Sequence, residues 1–242
     1  MQQQEILNLM AMRLDKFLSE ASAYSRKEIR GLVRAGLISV DGVPAKSPDQ
    51  KVNQDSSVSV KGVPVKYQKY IYLMLNKPAG YLSATEDERD PVVVDLVPEQ
   101  WKHFQVFPVG RLDKDTEGLL LLTNDGQFDH ALMSPRKKIV KRYYAELSGP
   151  ANQNDVQAFQ AGMDLQDFVT QPANLELTDD PCKVYVEIAE GKYHQVKRMC
   201  AKTGKEVLYL KRVAIGELVL DRDLPLGEVR ELTEEELALF VF

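Results

Sequence analysis

Apolar positions at the start of the chain recur with helical spacing. In residues 13–21, Leu14, Phe17, Leu18 and Ala21 stand at i, i+3, i+4 and i+7, which predicts a short helix with one buried face. A second helix begins at Ser25-Arg26-Lys27-Glu28, which reads as a capping box: the serine hydroxyl takes the Glu28 amide while the carboxylate reaches back. Burial of Ile29, Leu32 and Val33, with an end near Gly36, completes that helix. The period then drops to two. LISV (37–40), the turn Asp41-Gly42 and VPAK (43–46) predict a hairpin. Residues 12–61 thus read as a small α+β domain, and the polar, Gly- and Pro-bearing stretch 62–69 as a linker.

From 70 to 242 the pattern is dominated by strands. Candidates are YIYLMLNK (70–77), VFPVG (106–110), LLLLT (119–123), YYAEL (143–147), ANLELT (173–178), KVYVEIAE (183–190) and VLYLKRVAIGELVL (207–220). Helices are fewer: Asn154–Gly162, Tyr193–Thr203 and Thr233–Phe240, the last opened by a Thr233-x-x-Glu236 capping box. Strands outnumber helices and do not alternate with them. The expected fold is therefore α+β, with a mixed, mostly antiparallel sheet. Neither GxGxxG nor GxxxxGK[ST] occurs, so nothing points to a dinucleotide or P-loop site.

Composition changes this picture little. The 242 residues are 44% apolar and 28% charged, enough for a proper core. Cys182 and Cys200 are too few for a disulfide framework, the three histidines are scattered, and no metal site is expected. No run of 18 apolar residues occurs, and MQQQEILNLMAM lacks a cationic n-region and a small-residue cleavage site, so a cytoplasmic, reduced protein without a membrane partner is expected. Residues 1–11 read only as a lead-in to the first helix.

Charge changes it more. The net charge of −5 argues against a nucleic-acid binder when taken whole. Along the chain it is uneven. Residues 12–66 hold ten Lys+Arg against six Asp+Glu, residues 136–142 five against none, and 192–212 seven against one, whereas 217–236 hold two against eight. On the second helix Arg26, Arg30 and Arg34 lie four apart, with Lys27 beside them and Arg13 and Lys16 on the first helix. A solvated helix face is one reading of that stripe; a surface for phosphates, held by counterion release, is the other.

The richest polar segment is Gly110-Arg111-Leu112-Asp113-Lys114-Asp115-Thr116-Glu117-Gly118, set before an apolar run. It reads as a charged surface turn, with Asn124-Asp125-Gly126 as the next hairpin turn, or as a site. A divalent cation is opposed by Arg111 and Lys114 and by the want of a second acidic cluster. Paired carboxylates for sugar chemistry would place Asp113 and Asp115 on one strand face, where they repel. One aspartate held as an anion by a cation, serving as nucleophile or base, remains.

Two resemblances bear on these choices. Arg13-Leu-Asp-Lys-Phe-Leu, Ser25-Arg26, Ile29-Arg30, Leu32-Val33, Gly36 and Val40-Asp41-Gly42 resemble the S4 RNA-binding domain. That implies structured RNA recognised by shape through Arg13, Lys16, Arg26, Lys27, Arg30 and Arg34. GRLDKDTEGLLLLTNDG resembles the signature of the bacterial pseudouridine synthases that modify ribosomal RNA. So do Leu75-Asn76-Lys77-Pro78-Ala79-Gly80, Ser134-Pro135-Arg136 with Lys141-Arg-Tyr143, and Glu190-Gly-Lys-Tyr-His194-Gln-Val-Lys197-Arg198-Met. This second resemblance implies a catalytic domain over 70–242 that isomerises one uridine, with Asp113 attacking C1′ or abstracting a sugar proton.

The resemblance assigns further roles. Related families carry Arg where this chain has Lys197, with Arg198 next to it; both are candidates for the cation opposite Asp113, and Lys197 is preferred, as a point charge rather than a fork. Tyr143 would stack on the extruded base and assist loss of the C5 proton. Leu210 would pack under the base, Arg111 would hold the RNA open or meet a phosphate, and Lys77 and His194 would contact substrate. No metal or organic cofactor is implied. The expected partner is 16S ribosomal RNA within a small-subunit assembly intermediate, met by a monomer. The alternatives are action on 23S RNA, a catalytically silent S4-type RNA-binding or assembly factor, and a hydrolase releasing uracil.

Overall fold

The computed structural model describes residues 11–53, 55–134 and 136–240. The lead-in read for residues 1–11 lies, apart from residue 11, outside them. The chain divides into two compact units: the segment up to Ile71 together with Pro98–Gln105, and Tyr72–Val97 together with Val106–Phe242.

In the first unit the order is β1 (Met12–Arg13), α1 (Leu14–Ala21), α2 (Arg26–Arg34), β2 (Ile38–Val40), β3 (Val43–Pro44), β4 (Lys51–Val52), β5 (Val58–Val60) and β6 (Val63–Val65). Leu14, Phe17 and Leu18 of α1 and Ile29 and Val33 of α2 pack on Ile38, Val40, Val52, Val58 and Val60. The amphipathic spacing thus buries one face of each helix against a small sheet of order β3-β2-β5-β6. The capping box forms: the Ser25 amide donates to Glu28 Oε2 at 2.7 Å, and the Glu28 amide to Ser25 Oγ at 3.3 Å. Of the residues read as a linker, Val63–Val65 are instead a strand paired with β5. Lys61 and Gly62, both at positive φ, make the hairpin turn that the Gly-Val-Pro sequence disguises.

The second unit is built on β7 (Tyr72–Lys77), β8 (Phe107–Val109), β9 (Glu117–Thr123), α4 (Gly126–Met133), β10 (Lys141–Leu147), α5 (Gln153–Ala161), β11 (Asn174–Leu177), β12 (Lys183–Ile188), α6 (Gln195–Lys202), β13 (Val207–Ile215), β14 (Leu218–Val219), β15 (Val229–Glu231) and α7 (Glu234–Ala238); the short helix α3 (Glu99–Lys102), between β7 and β8 in the chain, belongs to the first unit. The sheet runs β11-β12-β10-β13-β9-β7-β15, with β14 on β13 and β8 on β9. Among the named strands only β9 and β13 pair in parallel, through Lys211↔Glu117 and Arg212↔Gly118. This is the mixed, mostly antiparallel α+β sheet that the strand pattern predicts.

Two readings of local pattern differ. Asn124-Asp125-Gly126 is not a hairpin turn: the Asp125 carboxylate accepts from the Gln127 and Phe128 amides and caps α4. That helix places Phe128 and Leu132 in the core with Met74, Leu119 and Leu121, and its apolar stripe is too sparse to read in sequence. The stretch 207–220 breaks after Ile215 at Gly216 and folds back as β14.

The parallel pair is the seam on which the site depends. At Gly118, φ is +99°, and a Cβ there would lie 2.2 Å from the Arg212 carbonyl oxygen. Only glycine allows β13 to approach β9 at this point. The polar loop 110–117 enters the sheet directly before it.

Candidate active site

Four segments meet at the seam: the loop before β9, the middle of β10, the turn leading into α6, and the middle of β13. The loop carries Asp113 and is held from below by Lys77, which has no exposed surface. The Lys77 ammonium donates to the carbonyl oxygens of Pro78, Asp113, Lys114 and Thr116 at 2.9–3.2 Å. Burial pushes its pKa down to about 8, against the pull of Asp115, Glu117 and Asp113. Lys77 is therefore not the RNA contact expected from its motif: it fixes the backbone of the Asp113 loop and meets no solvent. Ser83 adds a second clamp, with its hydroxyl donating to the Leu112 carbonyl and accepting from the Leu112 amide, each at 3.0 Å.

The cation opposite Asp113 is Lys197. Its Nζ lies 3.1 Å from Asp113 Oδ2 and 2.6 Å from Asp115 Oδ1. Burial works against the Lys197 charge, yet its hydrogen bonds to Asp115 and Asp113 prevail and hold its pKa above the ordinary lysine value. Burial likewise opposes the Asp115 anion, and the Lys197 hydrogen bond outweighs it, so that its pKa is lowered. The two aspartates do not repel on a common strand face; they share one ammonium from a loop. His194 Nε2 stands 3.6 Å from Asp113 Oδ1, its ring stacked on Tyr193 at 3.8 Å between centroids.

Arg198, the other candidate for that cation, does not meet Asp113. Successive helical residues project about 100° apart, so with Lys197 turned to Asp113, Arg198 faces elsewhere. It pairs with Asp167, donates to the Leu165 carbonyl at 2.7 Å and lies over the Phe168 ring. These contacts tie α6 to the segment after α5 and do not touch Asp113. The α6 entry is set by Gln195, buried, which donates to Glu190 at 2.8 Å and accepts from the Lys192 amide at 3.0 Å. His194 takes the left-handed backbone that turns the chain into the helix.

Strand alternation separates the tyrosine pair on β10. Tyr143 is buried on the side of Asp113, whereas Tyr144 donates to Glu146 on the other side and meets the rings of Tyr185 and Tyr209. A small cavity of about 60 Å³ is lined by Arg111, Asp113, Tyr143, His194, Lys197 and Leu210. It adjoins one of about 860 Å³ that shares Arg111, Asp113 and His194 with it, and one of about 630 Å³ that shares Arg111 and Tyr143. Arg111 is exposed where all three meet. The site is thus an open cleft with a carboxylate, an ammonium, an aromatic ring and an apolar floor at its narrowest part.

In the first unit Arg13, Lys16, Arg26, Lys27, Arg30 and Arg34 are all exposed. Arg13 is paired with Asp15 at 2.9 Å and Lys16 with Glu20 at 3.7 Å, while the four on α2 make no salt bridge among the described residues. Sequence reading missed Asp115 as a partner of Lys197, Ser83 as a clamp, and Asp167 as the anion of Arg198. Asp115 stood inside the recognised motif; Ser83 and Asp167 carry no local signal.

The chain is similar to known proteins along most of its length. Residues 71–202 match the RNA pseudouridylate synthase family and residues 12–58 the S4 domain. An uncharacterized RNA pseudouridine synthase of Bacillus subtilis (strain 168) is 49% identical over 233 residues, covering 94% of this chain and 98% of the relative. The ribosomal small subunit pseudouridine synthase A of Escherichia coli (strain K12) is 40% identical over 235 residues, 95% of this chain and 100% of that one. A crystal structure of a pseudouridylate synthase superposes with a TM-score of 0.67 at 34% identity, covering 95% of this chain and all of that one. With a polar loop carrying Asp113 at the sheet seam and an S4 domain ahead of it, the chain belongs to the RNA pseudouridylate synthase family.

Proposed function

We propose that the chain isomerises one uridine of small-subunit (16S) ribosomal RNA to pseudouridine, within an assembling particle in the cytoplasm and as a monomer. The observation that carries the reading is Asp113 at the narrowest part of the cleft, opposed by Lys197 and flanked by Tyr143 and Leu210. The relatives named as small-subunit enzymes, about 40% identical over nearly the whole chain, supply the target.

The reaction breaks N1–C1′, turns the uracil, forms C5–C1′, and moves the C5 proton off as N1 gains one. Uridine must leave its stack to bring C1′ to a carboxylate at the bottom of a cleft. Tyr143 offers a ring to the extruded base and Leu210 an apolar floor. Asp113 either attacks C1′ or takes a sugar proton; both need an anion, which the Lys197 ammonium stabilises. Lys197 keeps its proton through neutral pH, because its pKa stands above the ordinary lysine value. Arg111 meets the RNA backbone, a reading that its exposure at the mouth supports. Arg26, Lys27, Arg30 and Arg34 supply affinity without taking part in chemistry.

The test is Asp113→Asn with the products separated by chromatography. Wild type should yield pseudouridine at unchanged RNA mass, and the variant none while still binding RNA. Free uracil in the wild-type supernatant would make the protein a hydrolase. Equal pseudouridine from both proteins would remove Asp113 from the reaction.

A further inference from the structure

Beside the Asp113 cavity lie two cations that the reaction above does not use. Lys141 on β10 and Arg212 on β13 share the sheet face of Tyr143, and Arg212 is the cross-strand neighbour of Tyr143. Lys141 is 8% exposed and Arg212 is 2% exposed. Their hydrogen bonds fall short of their donors. Among the described residues the Lys141 ammonium reaches one carbonyl, that of Ile139, at 3.2 Å; Arg212 Nε donates to the Leu119 carbonyl at 2.8 Å, while its buried Nη2 meets no partner among them. Neither makes a salt bridge among the described residues, although Glu86 and Asp129 stand elsewhere on the wall of the same cavity.

Two like charges buried together and unpaired are costly, since each has lost its hydration with no anion in exchange. Burial first, and the Arg212 charge second, lower the Lys141 pKa. Lys141, Arg212 and the exposed Arg111 line the cavity of about 630 Å³, which shares Arg111, Tyr143 and Gly191 with the wall around Asp113. A guanidinium with a free Nη2 and an ammonium with free donors fit a tetrahedral oxyanion.

We propose that this cavity is a phosphate subsite that takes one backbone phosphodiester next to the extruded uridine. The proposal rests on the reading of the chain as an enzyme of RNA. Its effect is positional: a phosphate seated on Lys141 and Arg212 fixes the sugar between that cavity and Asp113, so that C1′ arrives opposite the carboxylate.

The experiment uses a synthetic small-subunit RNA fragment that the protein binds, with a single neutral methylphosphonate stepped through successive positions. One position should weaken wild-type binding and kcat/KM about tenfold or more. Lys141→Met should show a similar loss with the natural RNA, no further loss at that position, and a salt dependence of log Kd shallower by about 0.7. Arg212→Lys, which keeps the charge, should retain the sensitive position. The wild-type scan stands even where a variant fails to fold: no sensitive position overturns the proposal. So does equal sensitivity in wild type and Lys141→Met. Thermal protection by inorganic phosphate without a sensitive position would assign the cavity to a free anion and overturn it too. Pseudouridine formed from the unmodified fragment reports on the activity itself, independently of the Kd values.

Discussion

The α2 face of the first unit and the cleft of the second both gather positive charge, in opposite physical states. On α2, Arg26, Lys27, Arg30 and Arg34 stand in water without salt bridges among the described residues. In the cleft, Lys77 is held by four carbonyl groups, Lys197 by two carboxylates, and Lys141 and Arg212 line a cavity with almost no solvent exposure of their own. Exposed cations give affinity that salt erodes and geometry hardly affects. Buried cations give position, and their loss is felt in rate. Net charge, the quantity that first spoke against RNA, averages over this difference.

Substitutions can break the comparison at several points. The largest effect is expected at Lys197: Lys197→Met leaves Asp113 and Asp115 facing each other without a counter-ion and should lower kcat on the order of 10²-fold with Kd for RNA unchanged. Single-turnover kinetics would check this, and a loss confined to Kd would move Lys197 to the binding side.

Gly118→Ala comes next. A Cβ would collide with the Arg212 carbonyl at a φ that L residues avoid, so about 3 kcal/mol of stability should be lost, read from urea unfolding. A neutral result would show that the β9–β13 seam yields and that the site does not depend on it.

Charge removal on α2 should act differently. Arg26→Gln, Arg30→Gln and Arg34→Gln together should weaken binding about tenfold at moderate salt, flatten the slope of log Kd on log salt by about 2 to 3, and leave kcat at saturating RNA unchanged. A fall in kcat would mean that the stripe also positions substrate. Arg198→Met, adjacent to Lys197 in sequence, should change kcat less than about threefold, because its partners are Asp167 and Leu165.

Alkaline pH sharpens the contrast further. The Lys77 pKa in the folded protein, about 8, lies below its ordinary value of 10.5. Between those values the unfolded chain keeps a proton that the folded one has released, so the contribution of this group to stability rises with pH. The loop loses its charged anchor over the same range, and kcat should fall. The stability difference between wild type and Lys77→Met, followed from pH 7 to 10.5, isolates the group; a difference independent of pH would contradict the assignment.

The sequence was informative where local chemistry sets structure. The Ser25 and Thr233 capping boxes, the amphipathic faces of α1 and α2, and the strand-rich second unit were all legible from spacing. It was silent where partners are distant. Nothing in 124–133 distinguishes a hairpin turn from an Asp125-capped helix until Phe128 and Leu132 find the core. Lys77 and Arg198 show the same limit within the site: both sit in recognised motifs, and a motif gives a residue's neighbours in the chain but not the direction of its side chain. Asp113 and Lys197, 3.1 Å apart in space, are linked in sequence only by the family pattern.

The most direct test of the account is to incubate the wild-type protein separately with unmodified small-subunit and large-subunit ribosomal RNA, each naked and as assembling particles, and to map pseudouridine by chemical probing. The account predicts a single new pseudouridine in small-subunit RNA and none in large-subunit RNA. Modification of large-subunit RNA alone, or of neither, would contradict it.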